Sequence, residues 1–369
     1  MLSRSRSLQL TTLPLINSAD PSFELELHRR RAFLVHDPKI TGSKAPNDLD
    51  DLEAALNASR SSPEPDEHYL VSFQRRLRNS CNEAAVVQAV MPKLVPIDQL
   101  LDREDVITVP NQQWDKECAL PRPASAQYRI PLPKPDQTIG LAASNFHAYE
   151  NALAHLSHSA RPARSLSNLT FPLLTVEAKG DTGHNVCRLQ NLHNAAVMLH
   201  QLLRLWQDTD AEDEFFGQAM VCTISITTQT CAICHYWMER EDGNISVRGR
   251  LYKSWSLSLN ESMHLGSIVR DVRNTIEHTI TRGKRLIHQR LSALELRLSS
   301  LSTPSTTSTS STSGSSCSRK RRFIFIDEAY DDDGYTSPTD FQSSPSRKIA
   351  RGRDRRPGKS VTSRRRTSW

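Results

Sequence analysis

The chain has 369 residues, of which 37% are hydrophobic, and a formal net charge of +6. It contains no run of 18 or more apolar residues, which argues against a membrane-spanning helix. The charge is also localised: residues 318–369 hold 14 Lys/Arg against 7 Asp/Glu, leaving 33 basic and 34 acidic residues elsewhere, so bulk charge does not make the body a nucleic-acid binder.

The opening MLSRSRSLQL lacks the continuous apolar core of a secretory signal. It has a faint transit-peptide character but reads better as a solvated, unordered start. Seven cysteines, an odd number with no signal peptide, point to a reducing compartment. Residues 1–67 mix Pro, Ser, Asp and Arg and read as largely disordered, apart from a short acidic helix near residues 48–59.

Order is expected from residue 68. In HYLVSFQRRLRNSCNEAAVVQAVMPKLVPIDQLL, apolar residues recur at helical spacing, and Pro92 or Pro96 breaks the helix. A Pro-rich stretch spans residues 120–135, followed by a short strand at PDQTIGLA and a polar His/Ser/Ala segment over residues 145–168. The apolar run FPLLTVEAKGD reads as a strand. Residues 185–207 form an amphipathic helix with a stripe of Leu189, Leu192, Ala196, Leu199, Leu203 and Trp206. The alternating stretch over residues 218–257 predicts two or three antiparallel strands, with turns at Thr/Gln and Glu-Asp-Gly-Asn.

A long helix is expected over residues 265–298, with Gly283 a candidate interruption. Residues 299–318 read as a Ser/Thr-rich linker. Residues 319–369 read as a disordered basic tail with clusters at 319–322, 351–356 and 364–366, which point to nuclear import or polyanion binding, with a cytoplasmic protein as the alternative. Cys231-Ala-Ile-Cys234-His235 invites a metal or redox reading, but it falls in a strand pattern without the context that chemistry needs.

The informative feature is Glu177 and Lys179, two residues apart at the end of an apolar strand and so on one face. Burying unpaired charge is costly, so these two side chains require partners or a site. A structural salt bridge answers that need, and so does a metal-binding carboxylate beside a catalytic amine.

Pro135-Asp136, then Glu177-Ala178-Lys179, then an amphipathic helix resembles the PD-(D/E)xK nuclease-like superfamily, and more narrowly its uncharacterised fungal-type proteins. The resemblance covers roughly residues 68–298. It implies an α/β, restriction-endonuclease-like αβββαβ core, with a mixed central sheet flanked by helices and disordered terminal tails. It also implies Mg²⁺ held by Asp136 and Glu177 with the main chain at Ala178, Lys179 as the catalytic amine, and nucleic acid as the substrate. Asp136 and Glu177 are 41 residues apart, a gap that the polar segment 145–168 would fill as an insertion.

Glu83, on the preceding helix, is a candidate further acid. Alternatively, Ser80-x-x-Glu83 is a capping box. Gln190 sits where some relatives contact the catalytic centre or DNA. On the residues alone, Gln190, Asn194 and Gln201 read as a solvated polar stripe. His193 reads as a packed histidine.

Overall fold

The computed structural model describes residues 13–35, 45–60, 67–80, 82–163, 165–166, 168–181, 183–257 and 265–302. The basic clusters and most of the Ser/Thr-rich stretch lie outside the described residues, as do the first twelve residues. Among the described residues, no helix is long and apolar enough to cross a membrane.

Seven strands form one mixed sheet in the order β1-β7-β6-β5-β4-β3-β2. They are β1 (Ala32–Val35), β2 (Val106–Pro110), β3 (Gln137–Ala142), β4 (Leu169–Ala178), β5 (Val221–Ile226), β6 (Thr230–Glu241) and β7 (Asn244–Ser256). β2, β3 and β4 run antiparallel in succession. β4 and β5 are parallel, joined by the 24-residue helix α7 (His184–Gln207), numbered after the six shorter helices that precede it. A parallel pair needs such a crossover, whereas β5, β6 and β7 follow as tight antiparallel hairpins. Asp242 and Gly243 both take positive φ (50° and 76°) in the β6–β7 turn, as a two-residue hairpin of primed type requires.

Among the described residues, six α-helices lie ahead of α7: α1 (Ser22–Arg29), α2 (Leu49–Leu56), α3 (Glu67–Asn79), α4, α5 (Ile97–Leu101) and α6 (Glu150–Leu156). α4 is one continuous helix made of Glu83–Ala85, a wider π-helical turn Val86–Val90, and Met91–Leu94. Pro92 lies inside it rather than ending it. Proline has no N–H to donate, and the wide turn just before it absorbs the mismatch. The chain leaves the helix only before Pro96. The expected succession of helix, three strands, helix and strand is therefore present as α4, β2, β3, β4, α7 and β5.

All ten residues of β4 are buried, so the sheet is covered on both faces. α7 covers one face. The 38-residue α8 (Leu265–Ser302) covers the other, packing with α2, α4 and α6. α8 runs through Gly283 without a break. The glycine is there for room: a Cβ would stand 2.5 Å from Leu173 Cδ1.

The reading of residues 1–67 as largely disordered is corrected for the described stretches 13–35 and 45–60. Phe23, Leu27, Ala32, Leu52 and Leu56 are core residues, and β1 pairs in parallel with β7 at Ala32–Val247 through Val35–Arg250. Its apolar residues are interspersed with Pro, Ser, Asp and Arg, and polar bonds hold it alongside that core. The buried Glu26 carboxylate pairs with Arg29 and Arg30 and accepts from the Gln127 and Tyr128 N–H groups, docking α1 on the Pro-rich loop. Burial works against that charge, yet the N–H and guanidinium donors hold Glu26 below the usual carboxylate range.

Candidate functional site

Asp136 immediately precedes β3, and β4 carries Glu177 one residue before its end, on the neighbouring strand. The Ala178 N–H donates to Asp136 Oδ2 at 2.7 Å. Lys179 follows directly, its N–H bonded to the Ile226 carbonyl. Its ammonium stands 3.8 Å from Asp136 Oδ2, 3.7 Å from Glu177 Oε2 and 2.9 Å from Glu83 Oε1. Residues from two adjacent strands and from α4 thus meet at one nitrogen. Gly183 packs directly on the Cβ of Lys179, leaving no room for a side chain there and fixing the root of the amine.

The capping-box reading of Glu83 is corrected. Asn82 is the N-cap of α4, accepting from the Ala85 N–H at 2.9 Å, while the Ser80 hydroxyl bonds the Arg76 carbonyl. That leaves the Glu83 side chain free of capping and paired with Lys179.

Burial sets the electrostatics. The Glu177 side chain is 3% exposed, and desolvation, reinforced by Asp136, pushes its carboxyl up to about 8 against the pull of Lys179 and Asn194. Asp136 is also raised by burial, opposed by Lys179 and the Ala178 N–H. For Lys179, burial disfavours the ammonium, but Glu177, Asp136 and Glu83 outweigh it and hold the amine above its ordinary value. With Glu83, three carboxyls stand beside one ammonium, so full ionisation of the cluster would leave an excess of negative charge.

That excess, on hard oxygen donors, fits a small divalent cation such as Mg²⁺. Asp136 and Glu177 would hold it. Among the described residues, no three His, Cys, Asp or Glu side chains form a ligand cluster by themselves, so waters or main-chain oxygen would complete the shell. Ala178 is buried, and the contact it makes with Asp136 is through its N–H.

Two expectations on α7 change. Gln190 does not bond to Asp136, Glu177 or Lys179; its amide donates to the Ser18 hydroxyl at 3.0 Å. Nor is the polar stripe solvated. Asn194 is 1% exposed and donates to Glu177 Oε1 at 2.7 Å, and Gln201 donates to the Cys118 sulfur. Sequence reasoning missed Asn194 as a partner of Glu177. The available signal is its place on the helix that follows the motif strand. His193 is packed as expected, edge-on to Phe23. Cys231 and Cys234 are buried free thiols in β6, and burial pushes them up to about 12 and about 11.

No curated protein matches this sequence. The family model described as a domain of unknown function, DUF7924, matches residues 69–291, which include the whole of the Glu83, Asp136, Glu177 and Lys179 cluster. That match spans more than half of the chain, and the protein therefore belongs to the DUF7924 family.

Proposed function

We propose that this protein is a Mg²⁺-dependent hydrolase of phosphodiester bonds in nucleic acid. The observation that carries the reading is that Asp136, 41 residues before Glu177, meets Glu177 at the Lys179 ammonium in a partly enclosed site. When bound, a divalent ion supplies charge neutralisation and a more acidic water. Asp136 and Glu177 would hold that cation through their carboxylate oxygens. Lys179 presents a fixed positive charge where negative charge develops on the phosphoryl oxygens. Glu83 orients the Lys179 ammonium from the solvent side. The basic clusters at 319–322, 351–356 and 364–366 support a nuclear location, with the cytoplasm as the alternative.

The test is cleavage of DNA and RNA by purified protein in Mg²⁺ or Mn²⁺. Glu177→Ala and Lys179→Ala are each expected to abolish it, and activity unchanged in both variants overturns the proposal. One contact favours a second reading. Lys179 is closer to Glu83 than to either inner acid, as in a structural clasp. A nuclease-like body used only for binding would hold nucleic acid without cutting it.

A further inference from the structure

α3 ends in three arginines, Arg75, Arg76 and Arg78, all exposed. From residue 68 to residue 79 the helix has no acid, and among the described residues none of the three arginines has an ion-pair partner. Its opposite side is anchored by the buried Phe73 and Leu77.

This end of α3 is tied to the site. The Ser80 hydroxyl contacts the Arg76 carbonyl at 2.8 Å and the Ala85 carbonyl at 3.4 Å, clasping the last turn of α3 to the first turn of α4. The first residue of α4 is Glu83, which grips Lys179. Exposure rises outward through the cluster, from 3% at Glu177 to 12% at Asp136 and Lys179 and 51% at Glu83. The site therefore opens on the Glu83 side, where α3 ends. Lys134, also exposed, stands two residues before Asp136 and is near enough to favour its ionised form.

We propose that Arg75, Arg76 and Arg78, with Lys134, form a surface that binds the phosphodiester backbone of nucleic acid and leads it to the Glu83 side of the site. This deepens the hydrolase reading and rests on it for the direction of approach. Guanidinium forks on a helix match phosphate oxygens in geometry as well as charge. They also supply the positive potential that a phosphate needs to approach an acidic cluster. This surface is separate in sequence from the basic tail, so the folded body has its own contact with a polyanion.

The experiment uses the full-length protein in EDTA, so that binding is read without cleavage. Fluorescence anisotropy follows a labelled DNA duplex, and an RNA strand of the same sequence, over a salt series. Arg75→Gln/Arg76→Gln/Arg78→Gln is compared with the wild-type chain and with a variant whose 319–322 cluster is neutralised. Loss of phosphate contacts flattens the plot of log affinity against log salt by about 0.9 per contact on duplex, so the triple variant is expected to lose about 2 to 3 in slope. The tail variant is expected to lose slope independently, and thermal melting of the triple variant is expected to match wild type because all three positions are exposed.

An unchanged slope in the triple variant overturns the proposal. So does a variant that loses binding to phosphatidylserine vesicles while keeping nucleic-acid affinity. Binding through α3 without any cleavage would sink the hydrolase reading and leave this surface standing. Cleavage with an unaltered slope would do the reverse.

Discussion

Asn194 determines how Glu177 is presented. Its amide takes Oε1 at 2.7 Å, leaving Oε2 on the side of Lys179. A donor to a carboxylate favours the ionised form, so removing it raises a group already pushed up to about 8. Asn194→Leu is expected to deepen protonation of Glu177 at neutral pH, seen as a stronger infrared band of the protonated carboxyl, and to weaken Mn²⁺ binding measured by calorimetry. An unchanged band would show that the amide is not tuning this group. Glu177 itself gives a signed prediction. A carboxyl raised from 4.5 to about 8 stabilises the fold below its unfolded value and loses that contribution as pH climbs through 8. In EDTA at pH 8, Glu177→Gln is thus expected to melt higher than wild type, since the amide keeps the Asn194 bond without a buried charge. A lower melting temperature would contradict this. The motif residues were legible because strand alternation and short spacing mark them. Asn194 was not, since its role depends on a packing partner that no local pattern announces.

The segment from α1 to β1 shows how an element can escape sequence reading. Its local composition is that of a solvated arm, yet Phe23 is fully buried against His193 and β1 completes the sheet edge on β7. The strand pairing is parallel and about 200 residues distant, so neither hairpin spacing nor a crossover pattern foretells it. By contrast, β5 to β7 and α8 follow their periodicities closely, because their partners are mostly local or their faces are strongly apolar. Phe23→Ala is expected to cost about 3 to 5 kcal/mol, the usual price of emptying a buried aromatic site, read as a lower urea midpoint at constant slope. Were the arm merely resting on the body, the midpoint would hardly move. At the other end of α7, Gly183 has an ordinary backbone φ of −90°. Its constraint is purely the approach of the Lys179 stem. Gly183→Ala is expected to displace Lys179 and weaken divalent-ion binding and cleavage about tenfold or more while far-ultraviolet circular dichroism stays the same.

At the scale of the whole molecule, buried histidines set the acid limit. His193 and His235 are 4% and 3% exposed, and desolvation holds each down to about 3, with nearby Arg30 adding to the effect at His193 and His278 and Arg282 at His235. Both are neutral in the fold but protonate near 6.5 once unfolded. Their contribution to stability is present above 6.5 and is lost as pH falls toward 3, because each binds a proton in the unfolded chain that it does not bind in the native one. For these two histidines that loss amounts to about 2.7 kcal/mol per pH unit across the steep part of the range, and His200, held down to about 4 by burial, adds to it. Glu177 acts in the opposite sense on the alkaline side, so the metal-free protein is expected to be most stable in a window on the acid side of neutrality. Urea midpoints measured from pH 4 to 9 in EDTA would trace that maximum. His193→Gln should lower the acid slope by about 1.4 kcal/mol per pH unit, since the amide occupies similar volume next to Phe23 and does not titrate. An acid limb identical in wild type and variant would mean that His193 gains access to water before the fold is lost, and would move the origin of acid unfolding to the carboxylates.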